Sequence, residues 1–254
     1  MTMLQALRRH PLPMRTTFGH SLVLTYALPP AVLAPLLPPG PALDTYEGHG
    51  FVAIGIVSTR HLRPSPLPPA LGIDAVLTGY RIFTTFPTPA GKSMRGLYIL
   101  RSDTDRPALA AAGNLLTRYR YHLGRVGLTV DGDRLTATVD SRDGGADLTV
   151  TADLASRPAP LPPGSPFADP AAARRFAGPL PYTFDAEDDG IVVVKAHRST
   201  WVPEPVAVQV SRCTFLERGP FAGTAPVLAH AFHVAGIDYG WHRGVRRAVD
   251  GSAR

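Results

Sequence analysis

GFVAIGIVST, the stretch from Gly50 to Thr59, decides the fold, because almost every residue in it is apolar or β-branched. A short run of this kind is typical of a strand that is buried on both faces. LTGYRIFTTF, from Leu77 to Phe86, has the same character, and MRGLYIL, from Met94 to Leu100, follows it across turn residues 87–91. We therefore predict that the second and third stretches pair as a hairpin inside a sheet with a buried centre.

Further strands are predicted on both sides of this centre. A strand over residues 21–28 is followed by Pro29 and Pro30, which open a short helix that ends near residue 37. A longer helix is predicted from Asp105 to about Arg118. Alternating hydrophobic residues, interrupted by Asp-Gly turns, predict an antiparallel meander of strands at residues 123–130, 135–139 and 146–154. A short helix is predicted at 171–176, and later strands are predicted at residues 191–197, 206–215 and 228–235.

The order of these elements predicts the fold class. Strands dominate the chain, and helices do not alternate with them. The expected fold is therefore α+β, a curved and mostly antiparallel β barrel or cone with a few flanking helices.

The chain is predicted to form one domain of residues 14–243. An N-terminal extension of residues 1–13 precedes it, and a loose C-terminal tail of residues 244–254 follows it. The proline-rich stretch 157–166 resembles a linker, but the strands after it have no separate core. We therefore interpret it as a surface crossing within one domain.

Composition limits the classes of partner. The formal net charge is +6, and only Lys92 and Lys195 among the 26 basic residues are lysines. The arginines are dispersed and accompany no nucleic-acid-binding motif, so no nucleic-acid partner is predicted. Prolines interrupt the apolar stretch 22–37, so no membrane-spanning helix is predicted either. The single cysteine, Cys213, fits a reducing cytoplasm, which is the predicted location, and a homo-oligomer stays open.

No cofactor or metal motif occurs in a suitable context. Gly91-Lys92-Ser93 resembles the end of a phosphate-binding loop, but Phe86 stands where that loop needs a glycine. His230 and His233 lie three residues apart on a predicted strand, where they would face opposite sides. We therefore predict neither a cofactor nor a metal.

A series of spaced residues carries a resemblance to a known family. The series comprises Tyr26-x-x-Pro, Leu36-Leu37-Pro38, Leu43-Asp44-Thr45, Gly48, Arg81, Gly96-Leu97-Tyr98 and His197-x-x-x-Trp201. Over residues 14–243 the chain resembles the YqjF-like domain of unknown function, a branch of the acetoacetate decarboxylase-like superfamily. The resemblance implies a curved barrel with a pocket at its centre.

The resemblance also indicates which catalytic group is missing. Acetoacetate decarboxylase forms a Schiff base between a β-keto acid and a lysine that desolvation or a neighbouring cation activates. The matching segment places Tyr121 at that lysine, His122 at its cationic neighbour and Leu77 at the family's pocket glutamate. A tyrosine cannot form an imine, and neither Lys92 nor Lys195 lies in a context that guarantees desolvation. A decarboxylase of the Schiff-base type is therefore not predicted.

The implied pocket keeps polar groups that suit a carboxylate or an enolate. Tyr121 and His122 are the candidate catalytic residues, as an oxyanion donor and an acid or base. The remaining candidate ligand-pocket residues are Arg81, Leu77, Phe83, Met94, Tyr98, His197 and Trp201. Structural alternatives stay open: Tyr121 and His122 at the end of a helix, Arg81 in a buried ion pair, and Trp201 as an anchor for a sheet edge.

Three functions are compatible with these residues. The first is a protein that binds a small organic ligand, such as a carboxylate or a keto or enol metabolite. The second is a lysine-independent lyase, cyclase or hydratase that uses His122 and Tyr121. The third is a protein-interaction module that uses the proline-rich loops. A fold alone does not choose among them.

Overall fold

The structure, a computed structural model, describes residues 3–88, 91–187 and 190–249. Its helices are α1 (Met3–Leu7), α2 (Pro30–Leu33), α3 (Pro107–Leu116) and α4 (Pro170–Ala177). Its strands are β1 (Met14–Leu28), β2 (Ala42–Leu43), β3 (Gly50–Pro64), β4 (Ile73–Pro87), β5 (Ser93–Thr104), β6 (Tyr121–Asp131), β7 (Arg134–Ser141), β8 (Leu148–Asp153), β9 (Tyr182–Glu187), β10 (Gly190–Arg198), β11 (Glu204–Pro205), β12 (Ala207–Cys213), β13 (Val227–Trp241) and β14 (Val245–Ala248).

Seven strands close into a ring in the order β4, β5, β9, β10, β13, β1, β3 and back to β4. The long strands β1, β3, β4 and β13 form the continuous part of its wall, and their pairings are all antiparallel. Two pairings of the ring are only three residues long: β5 meets β9 in parallel through residues 96–98, and β10 meets β13 in antiparallel through residues 196–198. The predicted α+β fold with a curved, mostly antiparallel barrel is confirmed.

Strand β5 is the junction of the fold. One of its edges pairs with β4, whereas the other pairs first with β9 and then, through residues 102–104, with β6. Gly96 permits the approach of β9, because a Cβ atom there would lie 2.6 Å from the ring of Phe184. Arg120 occupies the fork between β9 and β6 and donates hydrogen bonds to the carbonyl oxygens of Ile99 and Leu100.

From the fork, β6, β7, β8 and β12 continue as an antiparallel four-stranded extension. The extension folds over the outside of the barrel wall and buries the main hydrophobic core between the two sheets. Side chains of β1, β3 and β4 meet those of β7 and β8 in this core, including Leu22, Leu24, Ile54, Ile56, Ile82, Leu135, Val139, Leu148 and Val150. Each wall strand therefore has one face on this core and its other face toward the inside of the barrel.

Several predicted boundaries differ from the structure. The tail after residue 244 was expected to be loose, but β14 pairs with β10 over residues 190–193, and residues 250–254 lie outside the described part. Strand β9 escaped prediction, since the acidic residues around it mask a strand that is held by its neighbours. The helix α3 ends at Leu116, so Tyr121 and His122 belong to a strand and not to a helix end.

Among the described residues, no helix has both the length and the apolarity that a bilayer crossing requires.

A buried ionic network joins the barrel to the extension. The guanidinium of Arg101 on β5 donates to both carboxylate oxygens of Asp103, with a closest distance of 2.7 Å, and to both oxygens of Asp143 in the turn before β8. The side chain of Asp103 is fully buried and also accepts a hydrogen bond from Thr78 on β4. Because both charges are taken out of water, each depends on the other for compensation.

Asp103→Ala should lower the free energy of unfolding by about 3–5 kcal/mol, because it leaves a buried guanidinium with one carboxylate fewer. Urea unfolding followed by circular dichroism measures this change. Asp140→Ala is the matched control, since Asp140 pairs with Arg125 on the surface and both side chains are largely exposed. The control should change stability far less. Equal losses in the two variants would contradict the role given to the buried network.

Candidate functional site

The ring of strands encloses a cavity of about 120 Å³. Strand alternation decides which side chains reach it. On β1, for example, Leu22 and Leu24 lie in the outer core, whereas Ser21 and Val23 line the cavity. The alternation is regular on β3 as well, but it breaks on β4 and β9, where two consecutive residues line the cavity.

Arg81 on β4 is the cavity residue with the most unusual surroundings. Its guanidinium lies against the sheet over Gly55 and Gly79, which are cross-strand partners on β3 and β4. A Cβ atom on Gly79 would lie 2.5–2.7 Å from the guanidinium, and one on Gly55 would lie 3.5 Å from it. The two glycines therefore leave the space that the guanidinium occupies.

Arg81 has no carboxylate partner within the described residues, where the ion pairs all involve other side chains. Its Nε is buried, and within the same residues this atom has no hydrogen-bond partner. The buried ion pair considered for Arg81 from the sequence is therefore absent from this part of the chain. A positive charge with unused donors remains at the cavity wall, where an anion would be bound well.

Tyrosines surround this charge. Tyr119, Tyr121, Tyr182 and Tyr239 all line the cavity. Burial raises the pKa of Tyr121 and of Tyr239, and the positive charge of Arg81 opposes that rise in both. The phenols are therefore neutral near pH 7 and can donate hydrogen bonds to a ligand oxygen. The hydroxyl of Tyr119 already has a partner, because it lies 3.0 Å from Oγ1 of Thr183.

A second polar edge of the cavity is formed by Trp201 and Arg198. The indole Nε1 of Trp201 is buried and has no partner among the residues that the structure describes. The guanidinium of Arg198 lies 5.3 Å from the centre of the Trp201 ring and donates to the carbonyl oxygen of Pro179. Trp201 thus presents an unused donor at the edge of the cavity, besides packing beside β13.

The structure brings five of the nine sequence-predicted site residues to the cavity. They come from β4, from the start of β6 and from the loop before β11, and they are Leu77, Arg81, Phe83, Tyr121 and Trp201.

The other four point elsewhere, and each is a correction with the same physical reason. Side chains of a strand alternate between its two faces, and these four belong to the set that faces away from the cavity. On β5, Leu97 and Ile99 line the cavity, whereas Met94 packs with the outer Phe86–Phe184 cluster and Tyr98 accepts a hydrogen bond from Arg120 at 2.7 Å.

His122 and His197 follow the same rule. Tyr121 faces the cavity, so the ring of His122 points outward and its Nδ1 lies 3.8 Å from Oδ2 of Asp143. On β10, Ala196 and Arg198 line the cavity, and His197 lies outside it against Gly240. Tyr121 and His122 therefore do not face one ligand.

Sequence reasoning missed several cavity residues. Tyr119, Tyr239, Arg198 and Phe232 were not singled out, although all four line the cavity. One signal was present, since in Arg118-Tyr119-Arg120-Tyr121 the tyrosines and arginines alternate as residues of an extended chain do. The glycines at 55 and 79 were a second signal, because glycine inside an apolar strand often marks a close approach.

Neither lysine of the chain lines the cavity. Lys195 follows the buried valines of β10 but is exposed, and Lys92 is exposed before the start of β5. The residues that surround the cavity therefore include no amine that could form a Schiff base with a ligand there.

Among the described residues, no group of three or more His, Cys, Asp or Glu side chains is placed to hold a metal ion. His233 lies 3.1 Å from His20, ring nitrogen to ring nitrogen, while neither ring nitrogen of the buried His230 has a partner in the described part of the chain. Burial lowers the pKa of His230 to about 4, so its ring is neutral near pH 7.

The family DUF2071, described as an uncharacterized conserved protein (COG2071), matches residues 15–236. The chain belongs to this family. The predicted resemblance to the YqjF-like domain is thereby confirmed. No curated protein matches this DUF2071 chain.

Solved structures with the same fold are enzymes of distant sequence. Acetoacetate decarboxylase from Legionella pneumophila has a TM-score of 0.63 and 14% identity, with 94% of this chain and 88% of that chain covered. The enduracididine biosynthesis enzyme MppR, complexed with the condensation product of pyruvate and imidazole 4-carboxaldehyde, has a TM-score of 0.63 and 13% identity, with 95% and 91% covered. An acetoacetate decarboxylase-like enzyme from Sphingomonas wittichii RW1 has a TM-score of 0.62 and 13% identity, with 94% of each chain covered. These likenesses establish the fold of the DUF2071 protein.

His230→Leu should reduce the acid sensitivity of folding. Because the pKa of His230 is lowered in the fold, the unfolded chain binds a proton between pH 6.5 and 4 that the folded chain does not. The stability linked to this residue is thus present above pH 6.5 and is lost as the pH falls towards 4. Between pH 7 and pH 5 the variant should lose about 2 kcal/mol less than the wild type in urea unfolding. His49→Leu, at an exposed turn, is the control and should follow the wild type; the same behaviour in His230→Leu would contradict the prediction.

Proposed function

We propose that this DUF2071 protein binds a small organic carboxylate, or a keto or enol metabolite, inside the barrel without forming a Schiff base. The observation that carries the proposal is the guanidinium of Arg81, which lines the cavity among tyrosines without a carboxylate partner in the described residues. A carboxylate would supply the missing countercharge through two parallel hydrogen bonds to one guanidinium.

The dimensions and the other donors of the cavity agree with this ligand class. A volume of about 120 Å³ is of the same order as a cavity of about 150 Å³ that accepts benzene, so the ligand has few heavy atoms. Neutral tyrosine hydroxyls and the unused Trp201 Nε1 can donate to a keto or enolate oxygen. The pyruvate of MppR supports a keto acid as the first compound to test.

Two reaction types are disfavoured by the geometry. A classical decarboxylation needs a lysine in the cavity, and Lys92 and Lys195 both lie outside it. A lyase, cyclase or hydratase that uses His122 with Tyr121 needs both side chains on one ligand, and His122 faces away. A binding function therefore agrees best with the cavity.

The proposal also places the protein in the cytoplasm. The single cysteine, Cys213, is buried, and burial raises the pKa of its thiol to about 11. A single buried thiol forms no disulfide within the chain and packs as an apolar side chain, which agrees with a reducing compartment. An assembly of identical chains stays compatible with the proposal.

Arg81→Met should weaken the binding of pyruvate by about tenfold to a hundredfold, because a hydrogen-bonded charged partner contributes about 1.5–3 kcal/mol. Isothermal titration calorimetry measures the affinity. Arg134→Met is the matched control, since Arg134 lies exposed on β7 of the extension, and it should bind like the wild type. Unchanged affinity in Arg81→Met, or no binding of any small carboxylate to the wild type, would contradict the proposal.

Gly79→Ala tests the same site without removing the charge. Its Cβ atom would occupy the place of the Arg81 guanidinium, which can move because it is the end of a flexible side chain. The variant should therefore fold, with an unfolding midpoint near that of the wild type, yet lose affinity as Arg81→Met does. Gly127→Ala on β6 is its control, because a Cβ atom there meets only Oγ1 of Thr138, at 3.1 Å.

Trapping with borohydride tests the absence of imine chemistry. The protein should gain no mass when it is incubated with pyruvate or acetoacetate and sodium borohydride, because neither lysine reaches the cavity. Intact-protein mass spectrometry gives the readout. A stoichiometric adduct on Lys195 would show that the cavity does reach a lysine and would refute the assignment.

A further inference from the structure

A second chamber lies on the far side of Tyr121 from Arg81. It is a groove of about 110 Å³ between the segment that leads into β1 and the helix α3. The lining that it does not share with the barrel cavity is mostly apolar and includes His10, Leu12, Leu109, Ala112 and Leu116. We call this groove the outer chamber, and it opens to the surface beside the exposed residues Leu12 and Ala112.

The outer chamber and the barrel cavity share one wall. Four residues line both spaces: Leu77, Tyr119, Tyr121 and Trp241. The outer chamber is therefore continuous with the proposed binding site except for these side chains, which are apolar or aromatic. A ligand held at Arg81 that extends toward this wall would enter apolar surroundings.

Tyr121 is the central part of the wall and is fixed at its backbone. The side chain of Asn114 on α3 accepts from the Tyr121 amide at 2.8 Å and donates to the Tyr121 carbonyl oxygen at 2.8 Å. The phenol ring lies against Gly113, where a Cβ atom would come within 2.4 Å of it. Its hydroxyl forms no hydrogen bond with another described residue, so the ring is held by packing alone.

His10 lines the outer chamber with an uncharged ring. It is 7% exposed, and its Nδ1 is buried without a partner in the described part of the chain. Hydrogen bonds from its amide to the Leu116 carbonyl oxygen and from the Gly244 amide to its own carbonyl oxygen hold it there. Because burial lowers its pKa to about 4, the ring is neutral near pH 7. An alkyl or aryl chain would therefore be accommodated better than a charged group.

We propose that the outer chamber accepts the apolar chain of the ligand whose carboxylate is bound at Arg81, so that the ligand class is amphipathic carboxylates with an alkyl or aryl chain. This inference rests on the proposed carboxylate site. It makes Tyr121 the residue that the chain passes, and it makes α3 and the segment 10–14 the determinants of chain length.

A series of straight-chain 2-oxo acids from pyruvate to 2-oxooctanoate tests the inference by isothermal titration calorimetry. In the wild type, affinity should rise by roughly fourfold for each methylene that passes Tyr121, since burial of one methylene contributes about 0.8 kcal/mol. Ala112→Phe should fill the outer chamber, abolish this rise and leave pyruvate affinity unchanged. Ala111→Phe is the matched control, because Ala111 is equally exposed on α3 but does not line the chamber.

Leu12→Trp fills the outer chamber from its other wall and should have the same effect as Ala112→Phe. Because Leu12 lies outside α3, this variant separates filling of the chamber from a change in that helix. Pyruvate binding without a rise along the series would overturn the inference and leave the proposed carboxylate site intact. A rise that persists in both filled variants would also overturn it. Failure of every acid, pyruvate included, would overturn the carboxylate site and this inference together.

Discussion

The interior of this barrel depends on two missing Cβ atoms. Gly55 and Gly79 face each other across β3 and β4, and the space that they leave holds the guanidinium of Arg81 flat against the sheet. Any side chain at Gly79 would push the charge from this place. The glycine pair therefore fixes where the positive charge of the cavity lies. The cavity tyrosines matter chemically because they surround that charge.

Two arginines on neighbouring strands show how differently the fold treats charge. Arg101 on β5, beside Tyr80 of β4, has all three guanidinium nitrogens hydrogen-bonded to Asp103 or Asp143. Arg81, one residue further along β4, has no such partner among the described residues. The first arginine is compensated within the protein and supports the joint between the sheets. The second has no countercharge among the described residues, and this is the charge that the proposed carboxylate would compensate.

The sequence allowed the strands to be predicted but not the side of the sheet that each residue faces. GFVAIGIVST and LTGYRIFTTF predict buried strands, and the hairpin expected after Phe86 forms between β4 and β5. Met94, Tyr98, His122 and His197 were nevertheless assigned to the wrong face, because a shift of one residue reverses every side chain of a strand. The register of β4 changes between Tyr80 and Arg81, and only the paired strands reveal such an irregularity. Composition alone left just two lysines to consider, and neither of them lines the cavity.

The fork at β5 bears on how the chain acquires its structure. The barrel and the four-stranded extension both pair with this one strand, and Arg120 fastens the place where they part. Loss of β5 from either sheet would also expose backbone groups of the other. Opening of the barrel at β9 and detachment of the extension at β6 are therefore coupled through one strand.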